Sequence, residues 1–103
     1  MKILTIETIP NRNYEALDIV KGTVVYSKNF GRDFMAGMKT LVGGEIAGYT
    51  EMLNEARQIA TKRMVDAAEA LGADAIVGAR YASSSVMQGA AEVVAYGTAV
   101  KFL

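Results

Sequence analysis

An α+β fold follows from how two periodicities are ordered along the chain. Segments of branched or alternating apolar residues stand at both ends, three-and-four spacing fills residues 51–71 between them, and no repeat or linker interrupts the run. The expected order is strand, strand, short helix, long helix, strand, strand. One antiparallel or mixed sheet is then covered by the long helix, and the 103 residues form a single domain over 1–103.

KILTIET sets Ile3, Thr5 and Glu7 against Leu4, Ile6 and Thr8, a short strand, which Pro10, Asn11 and Asn13 break into a turn. Residues 18–27, DIVKGTVVYS, are rich in branched and aromatic side chains and give a second strand, with Gly22 marking a bulge or a close backbone approach. From Arg32 the period changes: Phe34, Met38, Leu41 and Val42 share one helical face, and this short helix ends at Gly43.

The long helix carries Met52, Leu53, Ala56, Ile59, Ala60, Met64, Ala67, Ala68 and Leu71 at helical spacing, with Glu51, Glu55, Lys62, Asp66 and Glu69 on its other faces. Thr50 suits the N-cap, Glu51 complements the dipole, and Gly72 suits the C′ position. Its length would be roughly 33 Å at about 1.5 Å per residue. Alanines dominate its inner face, which lets it sit close to its support. ADAIVGARYA, residues 73–82, is an almost continuous apolar run of strand length between Gly72 and the serines 83–85. SSSVMQGAAE is turn-like at both ends. In VVAYGTAVKF, Val94, Tyr96, Thr98, Val100 and Phe102 fall on one face and the smaller Val93, Ala95, Gly97 and Ala99 on the other.

Composition narrows the function classes. Eleven basic and eleven acidic side chains give a formal charge of +0, interspersed along the chain, so no footprint for nucleic acid or an anionic membrane is present. With no cysteine and no histidine, disulfides, thiolate chemistry, histidine bases and the usual zinc sites are excluded. MKILTIETIP is apolar too briefly for a signal segment and no stretch reaches membrane-span length, so a cytoplasmic location is expected. A hydrophobic share of 51% is high for so small a chain and points to burial between subunits.

The motifs are read against simpler alternatives. GGEIAG, with Gly43, Gly44 and Gly48, fits neither the dinucleotide fingerprint nor the phosphate loop. Amides opening the helix near Thr50 would suit an anion, while the ordinary role of such glycines is unusual backbone dihedrals or close subunit approach. Glu45, Glu51 and Glu55 suit an exposed acidic face near a helix start better than a metal site. The methionines Met35, Met38, Met52 and Met64 sit at core spacing, which favours packing over a soft metal. Arg57, Arg63 and Arg80 remain. Arg80 follows a buried run, so its guanidinium must leave the core, pair with a carboxylate such as Glu45 or Glu55, or face an interface.

The GGE turn, YTEMLNEARQIATKRM and LGADAIVGARY together resemble the YbjQ-like family of small bacterial and archaeal proteins, from IVKGTVVYS through the last strand. The resemblance implies a dodecin-like subunit assembled as a ring-shaped homopentamer. It carries a heavy-metal-binding label and no established activity. The residues that match the family motif are Gly43, Gly44, Glu45, Tyr49, Thr50, Ala56, Arg57, Gly72, Ala73, Gly78 and Arg80.

The expectation is therefore a cytoplasmic homo-oligomer, with no metal site, cofactor or catalytic residue assigned. The alternative is a module binding a small anionic ligand or a metal at the subunit interface. Gly43, Gly44, Glu45, Tyr49, Thr50, Arg57 and Arg80 are the ligand-binding or interface candidates. An enzyme would have to rest on Glu45, Tyr49 or Arg80, since no nucleophile and base pair is visible.

Overall fold

Branched residues at close spacing make Tyr14–Ser27 a 14-residue strand, and the computed structural model, which describes residues 1–27, 45–87 and 90–103, pairs it with the last strand. In chain order the described elements are β1 (Lys2–Ile3), β2 (Tyr14–Ser27), α1 (Glu45–Ala70), β3 (Ala75–Met87) and β4 (Ala90–Phe102). They form one four-stranded mixed sheet in the order β1-β3-β4-β2, parallel between β1 and β3 and antiparallel elsewhere. This is the α+β class the sequence predicts. The short helix expected before Gly43 lies outside the described residues.

Several boundaries differ from the expectation: β2 begins at Tyr14 rather than Asp18, and β3 and β4 both extend into the stretch expected as turn. The first strand is regular only at Lys2–Ile3, yet the chain beyond it stays against β3: the Leu4 N–H donates to the Ile76 carbonyl (2.8 Å), and the Gly78 and Ala79 N–H groups donate to the Ile6 and Leu4 carbonyls (2.7 and 2.9 Å). SSSVMQGAAE is mostly strand rather than turn. Ser83, Ser84 and Ser85 pair with Val93, Glu92 and Ala91, and Met87 pairs with Ala90, so only two residues connect β3 to β4. Residues 81–87 are all exposed, and a strand that buries no face has no need of an apolar pattern.

Thr50 is not the N-cap. The helix already runs from Glu45, so Gly48 is helical, at a cost of about 1 kcal/mol relative to Ala. Its other end matches the sequence reading: Gly72 has φ +77°, its N–H donates to the Glu69 carbonyl (2.9 Å), and the Ala73 N–H reaches back to Ala68 (3.1 Å). A left-handed residue there lets the chain turn into β3 while satisfying helical carbonyls.

The helix rests on β2 and β4 through Met52, Ala56, Ala60, Met64 and Ala68, all buried, one every fourth residue. Opposite them lie Val20, Gly22 and Val24 of β2 and Val93, Ala95, Gly97 and Ala99 of β4. A Cβ on Gly22 would collide with the carbonyl oxygen of Ala60 and the amide nitrogen of Met64. Backbone thus meets backbone at that point, the close approach that the alanine stripe and Gly22 foretell. Met64, 1% exposed, is among the largest fully buried side chains, and its burial stabilises by roughly 2–3 kcal/mol.

On the reverse of the sheet a smaller cluster of Ala75, Val77 and Val100 is covered by Ile9, Tyr14 and Phe102. The Arg12 guanidinium lies 4.0 Å from the centre of the Phe102 ring. Among the described residues no helix is long and apolar enough to cross a membrane.

Candidate functional site

A β-bulge decides where Arg80 points. Val77 pairs with Thr98 and Arg80 with Tyr96, so two residues of β3, Gly78 and Ala79, stand opposite Gly97 alone. Side chains alternate between faces, and one inserted residue exchanges the faces from there on. Without it Arg80, an even number of residues after the buried Ile76, would point under the helix. With it Arg80 shares the reverse face with its cross-strand neighbours Tyr96 and Lys21, and Ala79 takes the buried position.

The guanidinium then turns to the N-terminal segment, donating through one nitrogen to the Thr5 carbonyl (2.8 Å) and the Ala79 carbonyl (2.9 Å). Of the outcomes open to Arg80 from sequence, it leaves the core. Within one subunit the pairing with Glu55 is not made, because the bulge aims Arg80 away from the helix face that carries Glu55; the other expected partner, Glu45, has its side chain outside the description. Arg80 acts as a clasp holding residues 4–6 along β3. Arg63 is comparable: it donates to the Thr23 carbonyl of β2 (2.6 Å), tying helix to sheet.

Gly43 and Gly44 lie outside the described residues. Glu45 and Tyr49 have backbones in α1, and their side chains lie outside the description as well. Thr50 is exposed on the second turn. The amides just after Thr50 are therefore helix-interior, engaged with carbonyls four residues earlier, and are not the free donors expected from a helix starting there.

Arg57 is placed differently. It lines an open trough of about 600 Å³ beside α1, together with Glu51, Asn54, Gln58, Thr61, Lys62 and Tyr81. The helix covers β2 and β4 far more than β3, so beyond the buried Ile76 and Ala79 the arm of β3 from Tyr81 onward is exposed, and Tyr81 forms the β3 side of the trough. Arg57 donates to the Asn54 carboxamide oxygen (2.8 Å), and Lys62 pairs with Asp66 at 3.3 Å. Thr61 Oγ1 donates to the Arg57 carbonyl (2.7 Å) and lies 2.7 Å from the Tyr81 hydroxyl. Since the threonine's single hydroxyl proton is committed to that carbonyl, the phenol is the donor to Thr61.

The sequence reading selects Arg57 and misses Tyr81 and Thr61. The one signal for Tyr81 is its place next to Arg80. Once the bulge sets the phase, two such neighbours must point to opposite faces, so one tyrosine must stand on the helix side.

The donor set can be tested against a heavy metal. Soft metals select thiolate, thioether and imidazole ligands. The chain has no cysteine or histidine; of the described methionines, Met52 and Met64 are buried in the core, and the exposed Met1 and Met87 are thioethers without a thiolate or imidazole to join them. Among the described residues no three carboxylates gather into a group that could hold an ion. Among the described residues no group of such ligands fits a heavy-metal site.

Comparison with known proteins places the chain. A YbjQ family model, described as "Putative heavy-metal-binding", matches residues 1–103. A UPF0145 protein of Thermotoga maritima is 61% identical over 102 residues, covering 98% of this chain and 96% of the relative. One from Clostridium novyi is 55% identical over 103 residues and 100% of both chains. In three dimensions the chain resembles a crystal structure of a DUF74-family protein of unknown function from Pediococcus pentosaceus, with a TM-score of 0.71 at 24% identity, covering 100% and 98% of the two chains.

Proposed function

The chain belongs to the YbjQ family, whose relatives carry names that state no activity, and from that premise we propose that it is a cytoplasmic assembly subunit. In this reading it forms a ring-shaped homo-oligomer, a pentamer of dodecin-like subunits, and its matched residues serve packing and contact between copies. The observation that carries the reading is the reverse face of the sheet. Ile19 is 69% exposed, Val25 56% and Tyr96 37%, and Val86 and Met87 lie exposed at the end of the β3–β4 hairpin. Exposed apolar side chains of this size, interspersed with Lys21, Arg80 and Glu92 on the same face, favour contact with another protein surface.

The strand edges add directional support. Among the described residues, β3 has a neighbour on its outer side only as far as the N-terminal segment reaches, so the stretch Tyr81–Met87 pairs with β4 alone. Exposed edges of this kind pair readily with another strand. At β2 the outward Thr23 carbonyl is already bound by Arg63. The two edges are unlike, and contacts between unlike surfaces generate rings when the rotation closes. Sedimentation equilibrium at micromolar concentration tests the proposal. The expected mass is five times 11.0 kDa, and a clean monomer would overturn it. Cell fractionation checks the cytoplasmic placement.

A further inference from the structure

We propose that the trough between α1 and β3 binds a small organic anion with a planar body, its carboxylate or phosphate on Arg57 and its ring against Tyr81. The site lies within one subunit and does not depend on the assembly reading. Three observations carry it. The first is size: about 600 Å³ is the volume of an ordinary small-molecule site.

The second is a cation with no carboxylate partner among the described residues. Lys62 is neutralised by Asp66, 3.3 Å away, whereas the described partner of the Arg57 side chain is the neutral Asn54. A guanidinium carries five N–H donors in a planar fork, and one of them is used here, which leaves a face able to grip a carboxylate or phosphate through two bonds. With Lys62 held by Asp66, Arg57 is the wall's cation for an incoming anion, and Glu51 is the carboxylate that such an anion must avoid.

The third is a pre-set ring. The hydrogen bond from the Tyr81 hydroxyl to Thr61, itself held by the Arg57 carbonyl, fixes the phenol at the trough margin while its side chain stays exposed. Ordering the ring before a ligand arrives reduces the entropy lost on binding. Thr61 thus ties the Tyr81 ring to the helix turn that carries Arg57, and both side chains line the same trough.

The test is titration of the purified protein, in its native assembly state, with phenyl phosphate and with inorganic phosphate, followed by NMR on the backbone amides of Asn54 to Lys62 in the parent and both variants. Phenyl phosphate should bind roughly 3- to 10-fold more tightly than phosphate, the gain from ring contact. Arg57→Gln should weaken both by about 10-fold or more, as expected for a charge-assisted bond. Tyr81→Leu should abolish only the preference for the aryl compound. Saturable binding of neither probe at millimolar concentration, or an Arg57→Gln variant that binds phenyl phosphate like the parent, would overturn the proposal. Unchanged thermal melting of both variants shows that a lost response is not lost folding.

Discussion

The two faces of β4 follow opposite rules. Beneath the helix stand Val93, Ala95, Gly97 and Ala99, small and buried, with Ala95 and Ala99 at 0% exposure. On the reverse stand Val94, Tyr96 and Thr98, partly or fully open, beside the exposed Ile19 and Val25 of β2. The larger apolar groups lie where the single chain leaves them uncovered. The helix face is already closed by backbone contact, so side-chain bulk has no room there, whereas on the reverse face Ile19, Val25 and Tyr96 stand exposed among the described residues, beyond the small cluster under Ile9, Tyr14 and Phe102. The difference teaches that the helix face defines the fold and the reverse face is available to other contacts.

Three substitutions probe that contrast, in decreasing order of effect on folding. Gly22→Ala drives a methyl group into the helix backbone and should destabilise by about 3 kcal/mol or more, read from urea denaturation at unchanged m-value. The same change at Gly72 meets nothing within 4 Å and costs only its left-handed φ of +77°, about 1 kcal/mol in the same assay. Were the two losses equal, helix–sheet contact at Gly22 would not be the tight point. On the reverse face, Ile19→Thr should change subunit stability by no more than about 0.5 kcal/mol, yet lower the sedimenting mass at a given concentration. A large loss of stability with no change of mass would mean that Ile19 serves the subunit itself.

Much of this was legible in the residues. The four-residue stripe from Met52 to Ala68, the alanines that bring helix to sheet, the stop at Gly72 and the two-faced pattern of VVAYGTAVKF each express one periodicity directly. The length of β3 was not. Its exposed arm needs no apolar face, and the serines that compose it also suit turns. Thr50 misled because a good capping residue inside a helix looks the same in sequence as one at its start.

The candidate site was less legible still. Arg57 stood out as a charge, but its partner Tyr81 depends on the phase of β3, and that phase is set by an extra residue invisible to any pattern of period two. A run such as AIVGARYA therefore reads as uniformly apolar when it is two alternating patterns joined out of step.

The bulge at Gly78 and Ala79 also makes β3 sensitive to its own length. Removing one residue there would restore even alternation, and every later side chain of the strand would exchange sides: Arg80 would be carried beneath the helix, Tyr81 away from the trough, and Thr5 would lose its clasp. A single-codon deletion at this position would thus undo the N-terminal attachment and the trough wall together, where substitutions act on them one at a time.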